Sequence, residues 1–472
     1  MKPFAIAAAT ALALSTAAAS AQTAAPPRAD QLAFRALFKE LVETDTSIST
    51  GSCTAAAEKM AARLKAAGYT DQQITLFKAD GFPLDGGLVA QFPGTSPTAK
   101  PMLLLGHLDV VNARREDWQR DPYTLIEEGG YFYGRGTADM KVLDAIWVDT
   151  LIRLKQQGYR PKRTIKLALT CGEESGTRMN GAQWLAENHP DWIAAEFALN
   201  EGGGGTTDGH GKLVSQAIQT GEKSNRTFEL ETTNVGGHSS IPIDDNAIYE
   251  LADAIEKLRA YKFPVHFNDT TRAYFARAGA EQKNAAGRAM VALAANPADR
   301  AAEAIVSADR THNSMLRTTC VATMLEAGHA VNALPQRAKA MVSCRIVPGE
   351  DADTTRAALI AAIGDPKVKV TLVGRLRPVA VPPPLDPKII APAEKLVARY
   401  FPGVSLIPTM MTGATDATFI APVGIPTYGV PGPWGDPDGN GMHGLNERIE
   451  VRSVYVGRDF LFDLIKAYAG RE

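Results

Sequence analysis

Short apolar runs that each lead to a histidine or an acid are the feature that most constrains this fold. The runs at 102–105, 165–169 and 197–199 lead to His107, to the pair Glu173-Glu174 and to Glu201. Such runs predict strands that are buried on both faces of a mainly parallel sheet. Because ligands bind at the carboxyl ends of strands in open α/β sheets, we expect these polar side chains to lie together.

The residue types at this predicted edge are those that hold zinc. Zinc binds imidazole nitrogen and carboxylate oxygen at about 2.0–2.2 Å, and two ions about 3.5–4 Å apart can share a bridging carboxylate. We predict two Zn²⁺ ions per subunit, for which Co²⁺ or Mn²⁺ could substitute. Asp139, in a glycine-punctuated turn, is the candidate bridge. The predicted ligands are His107, Asp139, Glu174, Glu201 and His443.

Two further residues have predicted roles in the chemistry. Residues i and i+2 of an extended segment point to the same side, so Asp109 can hold the second ring nitrogen of His107 and orient the ring. Adjacent carboxylates point apart, and we therefore assign Glu174 to a metal and Glu173 to general base catalysis.

Seven motifs follow one another in a characteristic order. They are GHLDVV at 106–111, GRGTADMK at 134–141, CGEESG at 171–176, GGHSS at 236–240, NALP at 332–335, CRIVP at 344–348 and TGATDA at 412–417. With these motifs the chain resembles the dinuclear zinc metallopeptidase family that includes aminoacylase, acetylornithine deacetylase, succinyl-diaminopimelate desuccinylase and glutamate carboxypeptidase. Val142 stands where such proteins often have a glycine.

The resemblance implies how the ligands are divided between two metals. One zinc would take His107 and Glu201, the other would take Glu174 and His443, and Asp139 would bridge them. A cis peptide bond after Asp139 is also implied.

The resemblance further implies four residues that act on the substrate. His238 resembles a histidine that such enzymes bring into the active site of a dimer partner, where it stabilises an oxyanion. Asn332 and Arg345 resemble residues that hold the substrate backbone and its carboxylate. The alternative for these two is an ordinary turn and surface position. Gly413 lies in a loop expected on the leaving-group side.

The order of predicted elements indicates a discontinuous catalytic domain, residues 22–221 and 383–472, with an insertion. The insertion, residues 222–382, is called the lid here, and its order β-α-β-β-α-β is that of a ferredoxin-like fold. An extra stretch, about 261–313, is predicted to be helical and to cover the lid. The expected fold class is α/β, with a mixed, largely parallel catalytic sheet and an α+β lid that forms a homodimer. In the catalytic domain, helices are predicted at 30–43, 55–67 and 142–156.

Residues 1–21 predict a secretory signal peptide. Lys2 precedes an apolar stretch, and Ala19-Ser20-Ala21 precedes Gln22, which predicts cleavage near Ala21-Gln22. The stretch is too short to span a bilayer, so we expect a secreted or periplasmic protein with no membrane span in the mature chain. A formal charge of -2 without a basic run argues against a nucleic-acid partner.

Export would place the four cysteines in an oxidising compartment, where disulfides form. Cys320 and Cys344 fall in two predicted strands and could face each other as a disulfide across an antiparallel pair; two buried free thiols are the alternative. Cys171 lies beside Glu173 without any nucleophile pattern, and we interpret it as a packing residue.

Together these residues predict an exported zinc-dependent exopeptidase that hydrolyses an amide bond next to a free carboxylate, of carboxypeptidase or dipeptidase type. An N-acyl-amino-acid deacylase is the alternative, because the long lid leaves the substrate open. Its partner would be a small peptide or an N-acyl amino acid. A non-catalytic metal-binding relative is a distant alternative, disfavoured by the presence of Glu173. A serine hydrolase is excluded because the chain has no G-x-S-x-G motif.

Overall fold

The computed structural model describes residues 26–175, 178–374 and 377–470. The predicted signal peptide, residues 1–21, lies outside the described residues. Within them, none of the helices combines the length and the apolar character that crossing a membrane requires.

The helices predicted in the catalytic domain are confirmed, and each bound differs by at most two residues. In chain order the helices are α1 (Ala29–Val42), α2 (Cys53–Ala66), α3 (Lys141–Gln156), α4 (Gly181–Asn188), α5 (Pro190–Ile193), α6 (Ala247–Ala260), α7 (Asp269–Glu281), α8 (Ala285–Ala295), α9 (Arg300–Val306), α10 (Arg310–Leu316), α11 (Ala352–Ile363), α12 (Pro387–Tyr400), α13 (Ala417–Ile420) and α14 (Val451–Ala469).

The strands form one large sheet, one four-stranded sheet, one three-stranded sheet and one two-stranded sheet. In chain order they are β1 (Ile74–Phe77), β2 (Gly87–Phe92), β3 (Met102–His107), β4 (Ile126–Glu128), β5 (Tyr131–Tyr133), β6 (Ile165–Thr170), β7 (Phe197–Asn200), β8 (Gly204–Thr207), β9 (Leu213–Glu222), β10 (Ser224–Thr233), β11 (Gly237–His238), β12 (Thr319–Ala327), β13 (Ala333–Leu334), β14 (Arg337–Ile346), β15 (Lys369–Val373), β16 (Leu406–Met411), β17 (Thr427–Gly429), β18 (Trp434–Gly435) and β19 (Arg448–Glu450).

The large sheet has the predicted mixed, largely parallel character. Its order is β1-β2-β6-β3-β7-β17-β9-β8-β18, with β16 also paired to β9. The strand β3 runs parallel to β6 on one side and to β7 on the other. Every residue of β3 is buried. Leu104 faces one apolar cluster while Leu103 and Leu105 face another, because alternate side chains of a strand point to opposite faces.

The four-stranded sheet carries the ferredoxin-like arrangement predicted for the lid. Its order is β12-β14-β10-β15, and all its pairs are antiparallel. The helices α6 and α11 contribute Leu251 and Leu359 to an apolar core with Phe228 and Val342 of the sheet. The chain passes from the large sheet to this one across a single residue, Lys223, which lies between β9 and β10.

The extra stretch in the lid is helical, as predicted, but its packing partner differs from the prediction. The helices α7 to α10 share an apolar cluster with Ile407 and Met410 of β16, a strand of the large sheet. Arg277 of α7 also pairs with Glu394 of α12 at 2.7 Å. The helices of this stretch are therefore buried against the catalytic sheet, whereas its start, at Tyr261 and Phe263, packs in the lid core.

Candidate metal centre

Three neighbouring strands bring their polar ends to one place. His107 is the last residue of β3, Glu173 and Glu174 follow β6, and Glu201 follows β7. These strands are adjacent in the order β6-β3-β7, so their carboxyl ends meet at one edge. The clustering predicted from the apolar runs is what the structure has.

Three groups of side chains at this edge are close enough to hold metal ions: His107 with Glu173 and Glu174, and two groups made up of predicted ligands alone. His107, Asp139 and Glu201 form one group, and Asp139, Glu174 and His443 form the other, with ligand atoms in each group within 4.8 Å of one another. Asp139 belongs to both groups. The two groups are those that the resemblance implies for two ions with a bridging aspartate.

Distances within the first group show which imidazole nitrogen faces the carboxylates. Nε2 of His107 lies 3.4 Å from Asp139 Oδ1 and 3.5 Å from Glu201 Oε1. Its Nδ1 lies 3.0 Å from the carbonyl oxygen of Asp109, which can only accept a hydrogen bond. The proton of a neutral His107 is therefore on Nδ1, and the lone pair of Nε2 points toward the carboxylates.

In the second group, one nitrogen of His443 meets two carboxylates. Its Nε2 lies 2.8 Å from Glu174 Oε1 and 3.1 Å from Asp139 Oδ2. His443 has a positive φ of 59° and a side chain that is 55% exposed, so it approaches from a surface loop. The peptide bond between Asp139 and Met140 is cis, as the resemblance implies.

The charge balance of this cluster fits cations. Hydrogen bonds to Asp139 and Glu174 raise the pKa of His443 to about 10. Burial opposes the charged form of His107, but the nearby carboxylates, that of Glu201 first, outweigh burial and raise its pKa. Asp139 Oδ1 is buried and has no hydrogen-bond partner among the described residues. Carboxylates in excess over imidazoles, with an unpartnered oxygen among them, suit a pair of divalent ions.

Asp109 fixes its neighbours differently from the prediction. Its carboxylate is 3.7 Å from Nδ1 of His107, beyond hydrogen-bond distance, and the carbonyl makes that contact instead. The carboxylate accepts from the backbone N–H groups of Gly172, Glu173 and Glu174 at 2.7, 3.3 and 3.0 Å. Asp109 therefore orients the imidazole with its backbone and the Glu173-Glu174 loop with its side chain.

Glu447 holds the backbone of the Asp139 turn in the same way, and this role was not predicted from the sequence. Its buried carboxylate accepts from the N–H groups of Gly136, Ala138 and Asp139 at 2.9, 2.8 and 3.0 Å. Arg135 donates to it at 2.7 Å. The only sequence signal was an acid four residues after His443, which by itself indicates no role.

Asp416 is a second buried acid beside the site. It lies in the TGATDA motif, but the sequence predicted no role for it. It accepts from Thr170 Oγ1 at 2.8 Å and from Asn180 Nδ2 at 2.7 Å. Both donors flank the loop that carries Glu173. Asp416 thus connects the 412–417 loop to that segment.

Asp144 of α3 lies directly behind the end of β3. It is fully buried, and neither carboxylate oxygen has a hydrogen-bond partner among the described residues. Burial raises its pKa well above the usual carboxyl range. A Cβ at Gly106 would lie 2.1 Å from Asp144 Oδ1, so the carboxyl group occupies the space that a side chain at 106 would need.

Glu173, the predicted base, lies in a setting that favours its protonated form. Burial raises its pKa well above the usual range, although the charge of His107 acts in the opposite direction. The pKa of Arg345 in β14 is lowered by burial and by Arg377, and an ionised Glu173 would act in the opposite direction. Arg345 is thus placed within electrostatic reach of the cluster.

The other predicted substrate residues lie in exposed or loop positions. His238 pairs with Ala333 across the β11–β13 ladder and is exposed. Its Nδ1 lies 2.7 Å from Ser240 Oγ and 3.2 Å from the Ser240 backbone nitrogen. Asn332 is exposed and its carbonyl accepts from Ser239. The carbonyl of Gly413 accepts from Lys223, between the two sheets. None of the contacts among the described residues joins His238 to the metal-ligand groups.

Both pairs of cysteines form disulfides. Cys320 and Cys344 are register partners in β12 and β14 and are bonded to each other, as one of the two interpretations expected. Cys171 is bonded to Cys53 at the start of α2, so its interpretation as a packing residue is wrong. The partners are 118 residues apart, and sequence spacing alone cannot identify such a pair.

Known proteins resemble this chain in sequence and in fold. Residues 103–467 match the profile of Peptidase family M20/M25/M40. The human N-fatty-acyl-amino acid synthase/hydrolase PM20D1 is 28% identical over 381 residues, which cover 79% of this chain and 75% of that protein. The probable carboxypeptidase S-like 2 of Dictyostelium discoideum is 28% identical over 391 residues, covering 80% and 74%. The M20 family metallo-carboxypeptidase Sso-CP2 from Sulfolobus solfataricus shares the fold, with a TM-score of 0.70 at 18% identity over 94% of this chain and all of that one.

Proposed function

The chain belongs to Peptidase family M20/M25/M40, and from that premise we propose that it is an exported dinuclear zinc exopeptidase that hydrolyses an amide bond next to a free carboxylate. As a family member it is a metallopeptidase or amidohydrolase acting on peptides or N-acyl amino acids. The observation that carries the proposal is the pair of ligand groups sharing Asp139, with Glu173 beside them.

Zinc bound by these groups would supply Lewis acidity, which lowers the pKa of water and polarises a carbonyl. Glu173 accepts a proton from the attacking water and then delivers it to the leaving nitrogen. Arg345 binds the free carboxylate of the substrate, for which a guanidinium offers two parallel donors.

We also propose that the protein acts as a homodimer through the lid. Val321, Met324 and Leu325 of β12 are 62%, 69% and 66% exposed, and β12 is an edge strand. An exposed apolar edge strand is a surface that proteins normally cover. A second copy seated there would carry its His238 to the neighbouring site, where a ring N–H stabilises the oxyanion.

A cavity next to the metal-ligand groups favours the N-acyl-amino-acid deacylase as the second candidate. It has a volume of about 380 Å³ and begins at Asp139 and Glu201. Its apolar lining consists of Met140, Val142, Leu143, Met411, Val430, Pro433, Trp434, Met442 and Ile449.

Away from Asp139 and Glu201, the cavity is bordered by polar side chains that have partners. Asp436 accepts from Tyr131 at 2.8 Å, Asn440 accepts from the Asp436 N–H at 2.9 Å, and Thr206 bonds Ser215 at 2.7 Å. An apolar group therefore enters this cavity at the lowest cost, because it has no hydrogen bonds to water to give up. An acyl chain or the apolar side chain of a dipeptide meets that condition.

Turnover of a substrate panel tests both candidates. Purified zinc-loaded protein is incubated with Leu carrying acetyl, butyryl, octanoyl or dodecanoyl groups, and with Gly-Leu, Leu-Leu and Phe-Leu. For the deacylase, kcat/KM should rise about two- to fourfold per added methylene until the cavity is full. Preference for free-amine dipeptides would select the exopeptidase, and absence of turnover on every member would contradict the proposed function.

Export remains part of the proposal and is supported by the two disulfides, since such bonds persist in oxidising compartments. Amino-terminal sequencing of the protein recovered from a periplasmic extract should begin at Gln22. Recovery only from the cytoplasm with an intact Met1 would contradict export.

A further inference from the structure

The loop that carries the base and one metal ligand, residues 171–175, is called the Glu loop here. Asp109 accepts three of its backbone N–H groups. On its other side, Gly181 N–H donates to Cys171 O at 2.7 Å and Asn180 Nδ2 donates to Gly172 O at 3.3 Å. These hydrogen bonds join the Glu loop to the end of β3 and to the start of α4.

A second segment, residues 44–53, contacts two other parts of the metal centre, the β3 end and the Asp139 turn, and is called the brace here. Thr46 donates to Leu108 O at 2.6 Å and accepts from Val110 N–H at 3.3 Å, next to His107 and Asp109. Buried Lys141 donates from Nζ to Thr44 O at 2.8 Å, two residues after Asp139. The brace therefore lies against both the β3 end and the Asp139 turn.

The Cys53–Cys171 disulfide joins the brace to the Glu loop covalently. Both cysteines are buried, at 2% and 3% exposure, and their sulfur atoms lie within 4.8 Å of an oxygen of the Asp109 carboxylate. The bond therefore adjoins the group that holds the Glu173 and Glu174 backbone.

We propose that the Cys53–Cys171 disulfide is a positioning element for catalysis, which holds Glu173 and Glu174 in register with His107 and Asp139. The proposal rests on the roles given to these residues in the proposed function. With the disulfide, the brace fixes three of the ligand-bearing segments, those of His107, Asp139 and Glu174, to one another. Without it, the Glu loop keeps its hydrogen bonds and the β3–β6 ladder, which extends to the His107–Thr170 pair, but can shift beyond Thr170.

The second disulfide gives an internal comparison. Cys320 and Cys344 lie opposite each other in a ladder that already pairs β12 with β14 along most of their length. The strands are aligned by backbone hydrogen bonds, so that disulfide adds a crosslink to a register already set. The Cys53–Cys171 bond instead joins a helix start to a loop, where no ladder sets the register.

A shift of the Glu loop has two consequences that can be measured separately. Misplacing a reacting group by about 1 Å can cost on the order of 100-fold in rate, so kcat should fall with little change in KM. Glu174 would also be displaced from its metal, and losing the support of a metal ligand typically weakens metal affinity about 10- to 100-fold.

The test compares the double variant Cys53→Ser, Cys171→Ser with Cys320→Ser, Cys344→Ser. For each we would measure kcat, KM, the thermal midpoint, and zinc affinity by competition with a chelator. Both variants should lose thermal stability. Only the first should lose at least about tenfold in kcat with KM within twofold, and only the first should bind one of its two zinc equivalents at least about tenfold more weakly.

Two results would overturn the proposal: wild-type kcat and zinc affinity in the first variant, or equal losses in both variants. If buried serines prevent folding, Cys53→Ala with Cys171→Val restores apolar volume and gives the same comparison. The zinc measurement needs no substrate, so a wild-type enzyme that hydrolyses nothing in the panel contradicts the proposed function and leaves the positioning effect measurable.

Discussion

The strands β3 and β12 both serve the proposed active site, yet one is wholly buried and the other almost wholly exposed. All six residues of β3 are buried between two apolar clusters, and the strand ends at His107. Most residues of β12 are exposed, among them Met324 at 69%. The first strand has neighbours on both sides in its sheet, whereas the second has one.

This difference indicates which part of the site one chain builds alone. The metal-ligand groups are assembled from a single subunit, with their loops fixed by Asp109 and Glu447. In the proposed homodimer, a second copy would cover the exposed lid face and supply His238, which none of the described contacts joins to those groups. In that dimer the metal-ligand groups and Glu173 form a complete half of the catalytic site, which one chain builds alone. His238 forms the dependent half, which requires the second chain.

The most severe test of the complete half is Glu173→Gln. The amide keeps the size of the side chain but cannot accept a proton, so kcat should fall about 10³-fold, while zinc content measured by mass spectrometry stays at two per subunit. Glu187→Gln, an exposed position on α4, is the matched control and should behave as wild type. Substantial turnover in Glu173→Gln would remove the base assignment.

The dependent half is tested by His238→Ala, for which we expect a loss of about 10²-fold in kcat through the missing oxyanion donor. Mixing this variant with Glu173→Gln should restore about a quarter of wild-type activity, because in each mixed dimer one site has both Glu173 and the partner's histidine. His329→Ala, an exposed lid histidine, serves as the control. No recovery on mixing would show that His238 does not act across the dimer.

Asp109→Asn tests how much the hydrogen bonds that hold the Glu loop contribute to zinc affinity and to kcat. In the variant an amide NH₂ group, which cannot accept a hydrogen bond, replaces one of the two carboxylate oxygens. The N–H of either Gly172 or Glu174 would therefore lose its acceptor. We expect a 10- to 100-fold loss in zinc affinity or in kcat, measured by chelator competition and steady-state kinetics. Asp117→Asn, on an exposed turn, should change neither. A wild-type zinc affinity and rate in Asp109→Asn would mean that the loop holds its shape without this carboxylate.

The smallest expected effect on turnover concerns Glu222, where the two sheets meet. Burial raises its pKa to about 7, although Thr415 and Thr418 donate hydrogen bonds to it. The folded state therefore retains a proton that an unfolded glutamate loses near pH 4.5, so the free energy of unfolding should fall as the pH rises from 4.5 to 7.

The fall amounts to about 3 kcal/mol, and denaturant titrations at several pH values would measure it. Glu222→Gln should remove this slope and keep kcat within twofold of wild type, whereas the exposed control Glu58→Gln should keep the slope. An unchanged slope in Glu222→Gln would assign the pH dependence to other groups.

Much of the fold and of the candidate site was predictable because local patterns determined it. Continuous apolar runs identified β3, β6 and β7, and the residues that end them converge because the three strands are parallel neighbours. The order of elements in the lid predicted the ferredoxin-like arrangement that its four-stranded sheet has.

What escaped prediction depends on contacts between distant segments. The bond between Cys53 and Cys171 joins residues whose proximity no spacing reveals. The helices α7 to α10 have an apolar face, but the sequence does not say which sheet covers it. Glu447 and the side chain of Asp109 act on backbone N–H groups, which leave no pattern in the sequence of the loops they hold.

Gly106 and Asp144 constrain how this chain can change over evolutionary time. The carboxyl group of Asp144 fills the space beside Gly106, only 2.1 Å from where a Cβ would stand. An alanine at 106 requires a smaller residue at 144 first, and a designer who replaces Asp144 leaves a void behind His107. The two positions therefore form a single unit of variation, which any library aimed at this site should randomise together.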